Sequence, residues 1–156
     1  MKQILTIILV AGVMLGCNKS ESNDDKDNNG SCAPNTNVCF SLNGSTVAFS
    51  AAWVDLLGSK VAIKASNSSV DFNMDIGTKL EVKTYTIDNG SLWSENARIS
   101  FTNKATSKSY TAISGTLSIT NVQNSKLTGT FSGVFKDNST NTNVNFTDGK
   151  ISTVGQ

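Results

Sequence analysis

From Val38 onward, apolar and polar residues alternate with a period of two. The clearest row is formed by Val70, Phe72, Met74 and Ile76, which are separated by polar residues. Successive side chains of a β-strand point to opposite faces, so this period is typical of strands and not of helices. We therefore predict an all-β fold, with no helix after the N-terminal segment.

Turn-forming residues separate the alternating segments. Asn43-Gly44 is a strong hairpin signal, and residues 67–69 and 88–91 are further polar turns. The pattern gives about nine short, evenly spaced strands, which indicates an antiparallel β-sandwich or β-barrel. Periodicity does not choose between these two architectures.

Two segments give more detailed expectations about packing. In the second predicted strand, alternation places four residues on one face: Val47, Phe49, Ala51 and Trp53. Near the C-terminus, Gly129 and Gly133 share a face with large apolar residues. Glycines in such positions mark close packing or a bend in the sheet.

Composition excludes several classes of function. The chain has 156 residues, 12 acidic and 13 basic side chains, one of the basic ones being Lys2, and no histidine. A near-neutral chain without a basic face is not expected to bind nucleic acid. The lack of histidine removes Ser-His and Cys-His nucleophiles and histidine metal ligands. We therefore predict no enzyme, no catalytic residue, no cofactor and no metal site.

The N-terminal segment has the features of a signal peptide. Lys2 is followed by an apolar run over residues 4–15, which as a helix would span roughly 20 Å, less than a hydrocarbon core of about 30 Å. The run ends in residues 14–17, Met-Leu-Gly-Cys, which resemble the lipobox of bacterial lipoproteins. The resemblance implies cleavage before Cys17 and acylation of that cysteine, with chains such as palmitate. The alternative is an ordinary signal peptide followed by a chance cysteine.

These features divide the chain into three parts. We predict a lipoprotein signal peptide at 1–16, a lipidated Cys17 with a disordered polar tether at 17–37, and a single antiparallel β-domain at 38–156. Glu21, Asp24 and Asp25 resemble the surface-export signal of Bacteroidota lipoproteins. The predicted location is the cell envelope, as an outer-membrane lipoprotein, with periplasmic and external orientations both open.

The tether contains half of a calcium-binding motif. Asp25, Asp27 and Asn29, followed by Gly30, match the first half of an EF-hand loop. The loop's twelfth position, where a bidentate glutamate is expected, is Thr36. Because polar tethers produce this half-motif by chance, calcium binding stays an open question.

Two cysteines remain when Cys17 carries lipid. An envelope location is oxidising, so the spacing of Cys32 and Cys39 predicts a disulfide that fastens the end of the tether to the first strand. The alternative is a metal-binding pair. No further cysteine and no histidine exists to complete such a site.

Several short segments also resemble a family of small uncharacterised Bacteroidota envelope lipoproteins. The similar segments are residues 40–44, 84–87, 114–120, 127–132 and 144–151. They are strand and turn motifs, including two Gly-Thr pairs and a final Thr-Asp-Gly-Lys-Ile. The resemblance implies an envelope β-domain of unknown function and brings no site residues.

Aromatic residues are the candidates for ligand contact. Trp53, Trp93, Tyr85 and Tyr110 can line a cleft or stack on sugars, although aromatic residues in a small domain more often belong to the core. We single out Trp93 as the ligand-binding candidate, because residues 89–96 around it are otherwise polar.

Carboxylates are the remaining catalytic candidates. Asp71 and Asp75 share one face of a strand, about 13 Å apart, too far for glycoside hydrolysis. A cross-strand pair of Asp71 with Glu81 depends on the strand register, which the sequence leaves open.

The combined expectation is a membrane-anchored lipoprotein that displays a non-catalytic β-domain for ligand or surface binding. Its partners would be the membrane, through the lipid on Cys17, and a small molecule, a glycan or a protein. The alternative is a structural or protein-interaction component of the cell surface.

Overall fold

The computed structural model describes residues 32–33, 35–57, 60–77, 80–90, 95–123 and 126–154, and these form an all-β domain. Ten strands lie in one sheet, and none of the described residues is helical. The strands are β1 Val38–Leu42, β2 Ser45–Phe49, β3 Ala52–Leu57, β4 Lys60–Ser66, β5 Val70–Ile76, β6 Thr84–Ile87, β7 Asn96–Asn103, β8 Lys108–Gln123, β9 Lys126–Asp137 and β10 Asn143–Val154. Among them, only β6 and β7 pair in parallel, over a short stretch.

The sheet curls into a nearly closed barrel. Its strand order is β2-β1-β10-β9-β8-β6-β7-β5-β4-β3, so β2 and β3 are its two ends. Only Ser50 and Ala51 separate these two strands along the chain. One bent strand therefore pairs with β1 in its first half and with β4 in its second half. The predicted all-β fold is confirmed, and of the two architectures left open the structure has the barrel.

The bend also corrects one prediction about facing. The sequence places Ala51 and Trp53 on the same face as Phe49, but in the structure Phe49 and Ala52 point into the barrel and Ala51 is exposed. The alternation shifts by one residue at the bend, so Trp53 lies on the outer wall. The bent strand was also predicted as a single strand, which is why nine strands were expected where the described residues form ten.

The inside of the barrel is a packed aromatic core. All seven phenylalanines of the chain are at most 3% exposed, and they come from six different strands: Phe40, Phe49, Phe72, Phe101, Phe131, Phe135 and Phe146. Phe40 lies in the middle, with five other rings centred within 6.5 Å of its own. Tilted and edge-on rings at this spacing attract one another beyond the gain from burial.

Glycines allow β8, β9 and β10 to approach one another closely. Gly115 and Gly133 are directly paired, and a Cβ on Gly133 would lie 2.1 Å from the carbonyl oxygen of Ser114. Gly149 pairs with Phe131, and a Cβ there would lie 2.7 Å from two carbons of the Phe131 ring. The close packing predicted for Gly129 and Gly133 is confirmed, because a Cβ on Gly129 would also lie 2.6 Å from the carbonyl oxygen of Ser118.

The first hairpin has the predicted turn. Asn43 and Gly44 both have positive φ angles, 49° and 78°, between β1 and β2. A two-residue turn with positive φ at both positions matches the right-handed twist of the strands that it joins. Asparagine and glycine tolerate this conformation best, which is why the sequence signal is reliable here.

A disulfide joins the segment before β1 to the barrel. Cys32 and Cys39 are bonded, as predicted. Cys39 is 1% exposed although it faces outward between Val38 and Phe40, where it is bonded to Cys32. The path of the chain into the barrel is therefore fixed at this point.

Asn37 fastens the same segment to the seam of the barrel. Its backbone N–H donates to the carbonyl of Phe49 in β2, and its carbonyl accepts from the N–H of Ser152 in β10, both at 2.7 Å. With its side-chain amide oriented to satisfy both atoms, Asn37 also donates to the Ser152 carbonyl and accepts from the N–H of Ala52 in β3. One residue thus links strands from both ends of the sheet.

Candidate functional site

Because the inside of the barrel is filled, side chains that can meet a ligand lie on its outer wall. The wall has several open depressions among the described residues, and we consider two of them as candidate ligand sites. The first, which we call the Trp53 cleft, has a volume of 330 Å³ and crosses β3, β4, β5 and β7. The second, the hydroxyl groove, has a volume of 660 Å³ and crosses β8, β9 and β10.

The Trp53 cleft is built on one row of outward side chains. Trp53 pairs with Lys64, Lys64 with Asn73, and Asn73 with Ser100, so the row crosses four neighbouring strands. Strands in a sheet lie about 4.8 Å apart, which makes the row about 14 Å long. Trp53 is half-buried at one end, on the last strand of the sheet. The cleft therefore presents an indole at one end and small polar groups along its length.

Three polar side chains in the cleft have open hydrogen-bonding capacity. Within the described part of the chain, no hydrogen bond involves the side-chain amide of Asn73 or the hydroxyls of Ser100 and Thr102. An asparagine amide offers two donors and an acceptor, and each hydroxyl offers both functions. These groups are suited to a ligand that carries hydroxyls of its own.

The two charged side chains that line the cleft, Lys64 and Asp71, are each neutralised by a charged residue outside its lining. The Lys64 ammonium lies 2.6 Å from the Asp55 carboxylate, and the Lys104 ammonium lies 2.8 Å from the Asp71 carboxylate. The Ser66 hydroxyl also donates to Asp71, at 2.5 Å. The hydrogen bond from Lys104, followed by that from Ser66, holds the pKa of Asp71 below its usual value. The cleft thus offers both signs of charge in compensated pairs.

The hydroxyl groove has a different chemistry. Its lining includes hydroxyl side chains from three adjacent strands, together with two charged residues: Thr116, Ser118, Thr130, Ser132, Thr147, Asp148 and Lys150. Asp148 has a φ of 55° and lies in a β-bulge of β10, and its carboxylate accepts from the Thr147 hydroxyl at 2.8 Å. Cys32 borders the groove, so the described segment before β1 begins beside the groove.

Asp137 is a buried carboxylate with a structural role. It is 3% exposed at the end of β9. It accepts hydrogen bonds from the Ser139 hydroxyl and N–H, from the Thr140 N–H, and from the Lys108 ammonium. Led by the Ser139 hydroxyl, these bonds hold its pKa far below the usual range. Such a carboxylate stays ionised and orders the turn between β9 and β10.

The structure describes only some of the site residues predicted from sequence. Cys17, Asp25, Asp27, Asn29 and Trp93 lie outside the described residues. The predictions of lipidation, calcium binding and ligand contact at these positions stay predictions.

Two of the predicted aromatic candidates belong to the interior. Tyr85 is fully buried, and its hydroxyl accepts from the N–H of Glu81 at 2.9 Å. Tyr110 is partly buried, with its ring centred 5.2 Å from that of Phe101. Trp53 is the aromatic candidate whose side chain lies on the outer wall, although the alternation of residues predicted that it faces inward.

The register answers the question about carboxylate pairs. Asp71 lies opposite Ser66 on one side and Thr102 on the other, so the considered cross-strand pair with Glu81 is absent. Glu81 lies before β6 and forms an ion pair with Lys83.

In the ranges that the structure describes, no group of three or more Cys, Asp or Glu side chains is arranged to hold a metal ion. Those ranges also contain no helix able to cross a membrane.

The fold and the outer wall define a small all-β barrel domain with open surface clefts. The chain belongs to the family described as Domain of unknown function (DUF6252), whose profile matches residues 46–155. No curated protein matches the chain. No solved structure matches it either.

Proposed function

We propose that the protein is a lipid-anchored, non-catalytic binding protein of the cell envelope. Cys17 carries the lipid, the polar residues after it form a tether, and the tether holds the barrel away from an outer membrane. The barrel then binds a ligand or a neighbouring surface through its outer wall. Stable anchoring of this kind requires more than one acyl chain, because each buried methylene contributes only about 0.8 kcal/mol.

The disulfide is the observation that carries this proposal. Disulfides persist in exported proteins and are rare in reducing compartments. The chain has three cysteines, and the bond between Cys32 and Cys39 leaves Cys17 as the one cysteine outside this pair. An odd cysteine at the end of an apolar run, directly after a small residue, is where lipid attachment is expected.

The packed interior supports binding through the outer wall. Barrels that carry a ligand inside keep a cavity for it, whereas this barrel is filled by its phenylalanine cluster. The Trp53 cleft and the hydroxyl groove are lined by side chains that can form hydrogen bonds. A displayed domain with such a wall is suited to contact polar molecules around the cell.

Metabolic labelling tests the anchor. The full chain is expressed in a bacterium that has an outer membrane, with an alkyne-tagged fatty acid in the medium. The purified protein is then probed for the tag. We expect the wild type to be labelled, Cys17→Ala to be unlabelled, and Cys32→Ser to keep its label. An unlabelled wild-type protein, or a labelled Cys17→Ala variant, would show that the anchor is wrong.

A further inference from the structure

We propose that the Trp53 cleft binds an uncharged glycan chain. The indole of Trp53 packs against the face of one sugar ring, and Asn73, Ser100 and Thr102 form hydrogen bonds with the hydroxyls of the next. This inference rests on the proposed function, because it names the class of ligand that the outer wall binds.

The first support is the position of Trp53. The described phenylalanines and Tyr85 are buried, and Tyr110 packs on Phe101, whereas Trp53 is directed outward on the terminal strand of the sheet. Tryptophan combines a large apolar ring with one N–H donor, so it suits sites where one side is apolar and the other is wet. A sugar ring has this same combination of an apolar face and a polar edge.

The second support is the set of unused polar groups beside it. Asn73 lies two strands from Trp53 and Ser100 three strands from it, in the same cross-strand row. A row about 14 Å long suits an extended chain of sugar rings better than a single ring. The volume of the Trp53 cleft, 330 Å³, lies at the lower end of the range for ligand sites, which is about 300–1,000 Å³.

The third support is the balance of charge, which selects a neutral ligand. An anionic ligand would have to compete with Asp55 for Lys64, and with Asp71 for Lys104. A cationic ligand would have to displace the same lysines. A neutral ligand rich in hydroxyls leaves both ion pairs intact and uses the amide and hydroxyl groups between them.

The hydroxyl groove is the weaker candidate and supplies the control. It is larger, but among the described residues its hydroxyls are accompanied by no indole, and two charged residues, Asp148 and Lys150, lie among them. Thr130 lies within this groove and outside the Trp53 cleft. Substitution of Thr130 therefore tests whether any observed binding belongs to the other side of the barrel.

The test uses the full chain in detergent and immobilised neutral hexasaccharides of glucose, xylose, mannose and N-acetylglucosamine, with an oligogalacturonate as the charged comparison. We expect binding to at least one neutral hexasaccharide and weaker binding to the oligogalacturonate. Trp53→Ala should weaken that binding at least tenfold, and Asn73→Ala should weaken it several-fold. Trp53→Phe should retain part of it, and Thr130→Ala should stay within twofold of wild type.

Three results would overturn the inference. They are no binding to any neutral hexasaccharide, binding that Trp53→Ala leaves unchanged, and binding lost instead in Thr130→Ala or Trp93→Ala. If circular dichroism shows that Trp53→Ala is unfolded, binding by Trp53→Phe and Asn73→Ala is compared instead. Wild-type binding in both variants would then overturn the inference. Fatty-acid labelling of the same preparation separates the two proposals: a labelled protein that binds no glycan refutes only the ligand class, and an unlabelled protein that binds refutes only the anchor.

Discussion

Substitution of Phe40 by alanine should be among the most destabilising single changes in this domain. Phe40 is fully buried, and its ring lies between 5.7 and 6.5 Å from those of five other phenylalanines. Those neighbours come from β5, β7, β9 and β10, so removal of one ring loosens contacts across the whole barrel. No single neighbouring side chain can move to fill the space without losing contacts of its own.

The expected loss can be worked from this packing. Replacement of a buried phenylalanine by alanine costs about 3–5 kcal/mol. Each ring pair contributes about 0.5–1.5 kcal/mol beyond the buried area, so a ring with five partners belongs in the upper half of that range. We expect about 4 kcal/mol. For a domain of about 120 residues, the unfolding entropy converts this loss to a fall in Tm of about 16 °C.

Equilibrium unfolding in urea measures the loss, with the disulfide kept oxidised. Phe40→Leu keeps a large apolar side chain and should cost about 1.5 kcal/mol. Val82→Ala is the surface control, because Val82 is 62% exposed, and it should change the free energy of unfolding by less than about 0.5 kcal/mol. A loss below about 1.5 kcal/mol for Phe40→Ala would mean that the ring is not at the centre of the core.

Three further predictions follow from the fold. Reduction of the Cys32–Cys39 disulfide should lower the free energy of unfolding by about 2.5 kcal/mol, because it frees a loop of about eight residues in the unfolded chain; thermal unfolding with and without reductant measures this. Gly149→Ala should cost about 3 kcal/mol in urea unfolding, because the added Cβ would lie 2.4 Å from a backbone oxygen of β9. The pKa of Asp137 is lowered in the folded state, so its stabilising contribution is complete above the ordinary aspartate pKa of about 4 and is lost as the pH falls toward the folded value. Urea midpoints between pH 7 and pH 2 should therefore fall less steeply for Asp137→Asn than for wild type.

Each of these predictions has a matched comparison. Reductant should leave the Tm of a Cys32→Ser, Cys39→Ser double variant unchanged, and a shift there would point to another cause. Gly90→Ala should be nearly neutral, because the nearest atom to its added Cβ is a side-chain oxygen of Asp88 at 3.3 Å; equal losses at Gly90 and Gly149 would contradict the close approach of β9 and β10. For Asp137, acid profiles that run parallel in variant and wild type would show that its hydrogen bonds carry no pH dependence.

Local patterns were sufficient to predict the regular parts of this barrel. The row Val70, Phe72, Met74 and Ile76 is buried along β5 as expected, because one strand with one buried face needs only its own alternation. The Asn43-Gly44 turn follows from the chemistry of those two residues alone. The disulfide followed from cysteine spacing and the predicted oxidising location.

The parts that the sequence did not reveal depend on pairing between distant strands. The bend at Ser50 and Ala51 exists because the chain must leave β1 and join β4 at the opposite end of the sheet. That bend alone turns Trp53 from the predicted inner face to the outer wall. The cleft around Trp53 combines residues from four strands, and their register is set by pairing between neighbouring strands, so alternation within one strand could not identify it.

The pairing of β1 with β10 has a consequence for how the chain can be made. Val38 lies opposite Ile151, so the first strand is held by the last. A chain that emerges N-terminus first, from a ribosome or through a narrow pore, can pair β1 with β2 early, but it cannot pair β1 with β10 until β10 has emerged. Contacts so distant in sequence also slow folding, because a long loop must close before they form. The β1–β10 side of the barrel can therefore close only after β10 is available.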